Sequence, residues 1–331
     1  MRRTRLTVAL STMALLAGGA AASPATASTS TPTYREYVAL GDSWSADVFT
    51  TFPPTTEYTP FDCAQSSSNY PHQVATLLGV QTFRDATCGS ATTEDMTQPQ
   101  SGLPLGGTNP PQFNRLTPTT DLVTLGIGGN DSDFEGALVK CLNLIPVPLP
   151  LPSPLGGSCK TALTAGGVDR VSQAISKTGP KVAKTIAGIR ERSPRARILL
   201  VNYLNGLPAN GVGCWPIVPI TNVDMGYLQT KFVEMNKMLS SVAASSHVQL
   251  ADTYTPTLGH DMCKSPTVRY AEGLIPLSVQ NPLLLAFPFH PNQGGADAQA
   301  KAVYGAITSG TTWRERYTGG DNGRQKVGIR S

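Results

Sequence analysis

Three short segments, far apart in the chain, carry residue types that together could activate a hydroxyl group. The first is Gly41-Asp42-Ser43, which follows an apolar run at 37–40. A serine at the carboxyl end of a buried strand, beside a helix start, presents its hydroxyl next to backbone N–H groups, as a nucleophile with a developing oxyanion requires. Asp-Ser is also a common helix cap, so this segment decides nothing alone. The second is Gly128-Gly129-Asn130-Asp131. Two glycines let backbone approach a ligand closely, and the Asn130 carboxamide can donate to an oxyanion without carrying charge. An ordinary Asn-Asp turn would read the same way. The third is His290-Pro291-Asn292. A serine hydroxyl is a poor nucleophile at its own pKa, and histidine titrates in the range that suits a base.

The chain has four histidines. His72 and His247 fall in or beside predicted elements and read as packed or surface residues. His260 lies in a turn next to Cys263. His290 is the base candidate, because proline fixes it at a helix start beside a loop. Asp42, Asn130, Asp131 and His290 are also hard-metal ligand types, so a metal-dependent phosphoesterase is the mechanistic rival. A secreted binding module with a dead site is a second rival. No CxxC pair or His-x₃-His spacing occurs, so no zinc site is expected, and nothing in the sequence calls for a cofactor.

These segments need a scaffold that brings them together. Short apolar runs at 37–40, 121–127, 197–203 and 248–251, with a weaker one at 80–83, read as buried strands. Between them lie patterns at helical spacing, at 70–78, 168–189 and 224–244, with a last helix at 291–307. Gly179-Pro180 is expected to kink or restart the second of these. Strands alternating with helices predict an α/β fold with a parallel sheet covered on both faces. Reactive groups in such sheets gather at the carboxyl ends of the strands. The segment 144–157 is rich in proline, which excludes helix and central strand. Its leucine, isoleucine and valine suit either an acyl-chain surface or a loop packed on its own domain.

The chain of 331 residues opens with Arg2, Arg3 and Arg5, then an apolar run of 12 residues, then Ala25-Thr26-Ala27. That order matches a signal peptide at 1–27, and the run is too short to span a bilayer. The expected organisation is a mature N-terminal segment at 28–36, one domain at 37–312 and a basic tail at 313–331. Formal charge is +4, but the three leading arginines and the tail account for it, so the body gives no field suited to nucleic acid. The protein is expected to be secreted, without stable membrane insertion, and large enough to stand as a monomer. Six cysteines fit an oxidising compartment. They can pair in many ways. Pairing neighbours in order (Cys63 with Cys88, Cys141 with Cys159, Cys214 with Cys263) closes short loops, each contributing about 3 kcal/mol.

Gly41-Asp42-Ser43, Cys88-Gly89-Ser90-Ala91-Thr92, Gly128-Gly129-Asn130-Asp131 and His290-Pro291-Asn292 stand in the order of the SGNH (GDSL-type) hydrolases, which the chain resembles. Asn69-Tyr70-Pro71, Gly259-His260-Asp261 before Cys263, and the six cysteines are similar to the extracellular esterases and lipases of actinomycetes in that family. The resemblance implies a three-layer α/β/α sandwich like flavodoxin, and ester hydrolysis through an acyl-serine. By position it makes Ser43 the nucleophile and a backbone oxyanion donor, His290 the general base, and Asn130 a side-chain donor. The family usually has Cys-x-Gly-Ala at the second oxyanion position, where this chain has Ser90 after Gly89. A backbone N–H survives that exchange, so the Ser90 N–H is the expected donor and Gly89 the alternative. Most members carry aspartate three residues before the histidine; here that residue is Phe287. A Ser43–His290 dyad oriented by the main-chain carbonyl of Phe287 or Pro288 is therefore expected. The implied substrates are lipid or fatty-acyl esters, although a phospholipase or a carbohydrate acetylesterase would use the same residues.

Overall fold

A computed structural model describes residues 33–145, 154–277 and 286–309. The expected export segment, the tail and the centre of the proline-rich segment lie outside these ranges. Five strands form one all-parallel sheet among the described residues: β1 (Glu36–Gly41), β2 (Thr82–Asp85), β3 (Leu122–Gly126), β4 (Arg197–Val201) and β5 (Gln249–Ala251). The helices are α1 (Ser43–Ala46), α2 (Tyr70–Leu78), α3 (Phe134–Lys140), α4 (Cys159–Leu163), α5 (Arg170–Arg192), α6 (Asn222–Ser245) and α7 (Gln293–Thr308). No described helix is long and apolar enough to cross a membrane.

Every residue of β1, β3 and β4 is buried, as strands covered on both faces require. Alternation along each strand divides the core in two. Val38, Leu40, Val123, Leu125, Ile198 and Leu200 pack with the apolar stripes of α5 and α6. Tyr37, Ala39, Leu122, Leu199 and Val201 meet α2 and α7 on the other face. The result is the expected three-layer α/β/α sandwich. Each aliphatic side chain buried this way stabilises the fold by about 1.5–3 kcal/mol.

The strand order is β2-β1-β3-β4-β5. The chain leaves β1 for one side and returns to β3 on the other, so the order reverses between β1 and β3. A crevice opens outside the carboxyl ends of strands at such a reversal. Gly41-Asp42-Ser43 and Gly128-Gly129-Asn130 leave the sheet at that point.

Local chemistry sets most element ends. Asn69 caps α2 by accepting the His72 N–H at 3.0 Å, Pro71 lies in its first turn, and Gly79 closes it at φ +61°. Helix α5 runs through Gly179-Pro180 as one element rather than restarting. Pro180 lacks one hydrogen bond, but Gly179 has no Cβ to clash with the proline ring, which removes much of the usual pre-proline penalty. Strand β2 lies two residues later than the apolar run predicted. The N–H of Val80 turns back to the Ala75 carbonyl at 3.4 Å, closing α2, and pairing with β1 begins only at Thr82. Strand β4 stops at Val201, short of the predicted Tyr203, because the Asn236 carboxamide takes both backbone groups of Tyr203.

Disulfides join Cys63 to Cys88, Cys141 to Cys159 and Cys214 to Cys263, at separations of 25, 18 and 49 residues. They leave no free cysteine, as suits an oxidising compartment. Ahead of residue 37, Tyr34 is buried, and the Arg35 and Glu36 N–H groups donate to the Asp121 carboxylate at 3.0 Å.

Candidate active site

The turn after β1 admits only glycine at position 41. A Cβ there would lie 2.5 Å from the Gly126 carbonyl oxygen and 2.6 Å from Ser45 Oγ. Asp42 then caps α1, its Oδ1 accepting the Trp44 N–H at 3.0 Å. Ser43 is thereby fixed as the first residue of α1, where its own N–H has no acceptor in the helix. Its hydroxyl meets His290 Nε2 at 2.8 Å.

His290 is buried, and its other ring nitrogen, Nδ1, lies 2.8 Å from the Pro288 carbonyl oxygen. A carbonyl only accepts, so Nδ1 carries the hydrogen. Burial pushes the imidazole down to about 4, with the Pro288 hydrogen bond pulling the other way. The ring is neutral at pH 7, and Nε2 therefore offers a lone pair to the Ser43 O–H. Of the two carbonyls expected near this ring, Pro288 holds it; the Phe287 carbonyl accepts the His290 backbone N–H at 3.2 Å.

The turn carrying His290 is tightly braced. Phe289 sits at φ +60°, which a bulky residue adopts only when its surroundings compel it. The Phe289 N–H donates to Gly273 and the Glu272 N–H to His290, at 3.3 and 2.9 Å. Glu272 and Arg269 form a fully buried ion pair, and Glu272 Oε1 accepts from Asn292 Nδ2 at 2.8 Å. Asn292 in turn caps α7 through the Gly295 N–H at 3.1 Å.

The candidate oxyanion donors lie on interlocked loops. Asn130 Nδ2 donates one hydrogen to the Ala91 carbonyl at 2.8 Å, leaving its second for a ligand. The segment holding Ala91 is tied at one end to β1, by the Cys88 N–H on the Gly41 carbonyl at 3.1 Å. At the other end, Thr93 N–H and Oγ1 donate to the Asp131 carboxylate at 2.9 and 2.7 Å. Ser90 lies between these ties at φ +61°, so the positive φ that glycine usually serves is kept by serine. Its N–H has no acceptor among the described residues. The Gly89 N–H donates to the Cys63 carbonyl at 3.0 Å.

A cavity of about 240 Å³ opens on Ser43 and His290. Its walls are mainly apolar, formed by Phe134, Leu138, Leu142, Leu207, Phe232, Met235 and Met262, with Trp44 beside Ser43. Sequence reasoning assigned none of these residues to the site: Phe232 and Met235 read as the apolar face of a predicted helix, and the others carry no chemical signal of their own. The apolar 144–157 segment, singled out instead, is described only at its ends, where Leu144 and Leu155 are exposed.

The metal alternative finds little support in the donor set. Asp42 is spent on Trp44 and Tyr203, and Asp131 faces Thr93 and Lys181. Among the described residues, no group of three or more His, Cys, Asp or Glu side chains is placed to share a metal ion. The other histidines stand apart: His72 bonds Asn69 at 2.7 Å, and His260 stacks on Tyr270 with ring centroids 3.9 Å apart. Asp252 and Asp261 hold loop backbone, accepting the Tyr254 and Cys263 N–H groups, each at 3.0 Å.

Comparison with known proteins agrees with this architecture. Residues 39–298 match the GDSL-like Lipase/Acylhydrolase family. "Lipase 2" of Streptomyces coelicolor is 33% identical over 306 residues, covering 90% of this chain and 94% of that protein. Among solved structures, the extracellular lipase of Streptomyces rimosus (TM-score 0.58) and phospholipase A1 of Streptomyces albidoflavus (TM-score 0.60) share the fold. Each is 21% identical and covers 84% of this chain, with 100% and 99% of its own chain matched. The chain belongs to the GDSL-like lipase/acylhydrolase family and is an enzyme that hydrolyses carboxylic esters.

Proposed function

We propose that Ser43 and His290 carry this hydrolysis as a dyad, acting on fatty-acyl esters through an acyl-serine. Ser43 Oγ attacks the ester carbonyl carbon while its proton passes to His290 Nε2. The imidazolium so formed is stabilised at Nδ1–H by the Pro288 carbonyl. The negative oxygen of the tetrahedral intermediate accepts from Asn130 Nδ2 and from the backbone N–H groups of Ser43 and Ser90. Collapse expels the alcohol, which takes the proton from Nε2. His290 then deprotonates a water that attacks the acyl-serine, and the same donors hold the second oxyanion. Its collapse breaks the bond to Ser43 Oγ, releasing the carboxylic acid as Oγ takes the proton back from Nε2. Each such donor contributes about 3–4 kcal/mol to the barrier reduction.

The single observation that carries this reading is the 2.8 Å contact between His290 Nε2 and Ser43 Oγ, with Nδ1 engaged on Pro288. That contact also speaks against a dead binding site. The apolar cavity beside Ser43 favours an acyl chain over acetate. Export follows from residues 1–27 read as a signal peptide, which the three disulfides support. One chain supplies every group invoked, so a monomer suffices.

The test is hydrolysis of nitrophenyl esters from acetate to palmitate by wild type and Ser43→Ala. Ser43→Ala is expected to lose roughly a million-fold in kcat. In the wild type, kcat/KM is expected to rise about fourfold per methylene until the cavity is filled, from about 0.8 kcal/mol per buried CH₂. Turnover retained by Ser43→Ala overturns the dyad, and acetate as best substrate overturns the fatty-acyl assignment.

A further inference from the structure

Tyr203 stands two residues beyond β4, yet its side chain reaches across β3 to the end of β1. Neighbouring strands lie roughly 4.8 Å apart, so this crosses two strand spacings. At its tip, Tyr203 Oη accepts the Gly129 N–H at 2.6 Å and donates to Asp42 Oδ2. One hydroxyl thus joins the residue before Ser43 to the residue before Asn130. The approach is so close that a Cβ on Gly129 would lie 2.9 Å from Tyr203 Oη, which accounts for the second glycine of Gly128-Gly129.

Tyr203 is itself held at both its backbone and its ring. Asn236 Oδ1 accepts the Tyr203 N–H and Asn236 Nδ2 donates to the Tyr203 carbonyl, both at 3.0 Å. The ring packs edge-on to Trp44, with centroids 5.7 Å apart, and against Phe232 at 6.4 Å. Both Tyr203 and Asp42 are buried, so water is a poor substitute for either hydrogen bond. The bridge needs a neutral side chain that is long and can accept and donate at one atom, and tyrosine meets that need.

We propose that Tyr203 is a positioning residue for ester hydrolysis, its hydroxyl fixing the loop that carries Asn130 against the turn that carries Ser43. This rests on the Ser43 dyad with Asn130 as an oxyanion donor. An oxyanion donor acts through placement, and a displacement of a fraction of an ångström weakens it in the transition state more than in the substrate complex. Tyrosine-to-phenylalanine keeps the ring and removes both bonds. The loss should therefore appear in kcat and not in KM, and it should depend on Asn130 being present.

The experiment is a double-mutant cycle of Tyr203→Phe with Asn130→Ala, measured as kcat and KM per active site titrated with a fluorophosphonate. Titration removes any contribution from misfolded enzyme. In the wild-type background, Tyr203→Phe is expected to lower kcat about tenfold, with KM changed less than twofold. In the Asn130→Ala background, the same change is expected to cost less than about twofold. Equal losses in both backgrounds, or a rise in KM with kcat intact, overturn the proposal and leave Tyr203 as a structural or substrate-contact residue. If Tyr203→Phe is insoluble, Gly129→Ala separates the same two groups through its added Cβ and is read by the same criteria. Ser43→Ala run in parallel distinguishes the two levels: turnover surviving there sinks the dyad itself, whereas its loss with an unchanged Tyr203→Phe sinks only the positioning role.

Discussion

The low pKa of His290 makes a prediction about acid tolerance whose sign is fixed. Burial holds the imidazole at about 4, against 6.5 for a free histidine. The base works when neutral, so kcat/KM should fall as pH drops through about 4, not through 6.5. At pH 5 the enzyme should retain about 90% of its plateau, where an unperturbed histidine would leave roughly 3%. The same shift enters stability. Between pH 6.5 and 4 the unfolded chain binds a proton at this position and the folded chain does not, so folding weakens as pH falls across that window. From pH 7 to pH 4.5 the loss should be about 2 kcal/mol. Asp42 is pushed up to about 7 by burial, and acts in the opposite sense, losing stability as pH rises from its unfolded value to 7. The informative quantity is therefore the difference between wild type and His290→Gln in urea unfolding at the two pH values. A difference that does not change with pH, or a kinetic midpoint near 6.5, would refute the reasoning, because the imidazole would then be solvated in the free enzyme.

Two further outcomes separate the roles of neighbouring groups. Asn130→Ala should lower kcat by about 10²–10³ with KM little changed, since it removes one donor that acts mainly in the transition state; Michaelis–Menten kinetics on a single nitrophenyl ester decide it. Asp252→Asn and Asp261→Asn should each leave kcat within about twofold, because both carboxylates bond loop backbone while the Pro288 carbonyl holds the His290 ring; loss of turnover in a folded variant would restore a carboxylate to the dyad.

Much of the scaffold was legible because local chemistry and burial agree in it. Helix α2 is read at its observed bounds from apolar residues at helical spacing, and Asn69, Pro71 and Gly79 close it at those same bounds. The central strands are mostly apolar, as burial on both faces favours, with Glu36, Thr124 and Arg197 as their polar exceptions. Strand β2 is misread because Val80 serves the end of α2, a use that periodicity does not distinguish from strand burial. Gly179 hides the cost of Pro180 in the same way, by an absent atom. In the site, Ser43 and His290 stand out as chemical types, while Tyr203 does not. An apolar run ending in tyrosine looks like strand, and both partners of its hydroxyl, Asp42 and Gly129, come from segments that follow other strands. The bond from the Gly89 N–H to the Cys63 carbonyl, beside the Cys63–Cys88 disulfide, is likewise a long-range contact that the local sequence does not show. The apolar cavity is invisible for a simpler reason: its lining residues come from α3, α6 and separate loops, and an apolar side chain carries no chemical mark in the sequence.

The partner of His290 Nδ1 is a peptide oxygen, and no codon change can delete a peptide oxygen. Point substitution along 287–289 can alter side chains freely while the acceptor persists, provided the turn survives. Insertion or removal of a single residue there would rotate that oxygen away and disarm the imidazole at once. The orienting group is thus encoded in the length and curvature of a loop rather than in the identity of any amino acid.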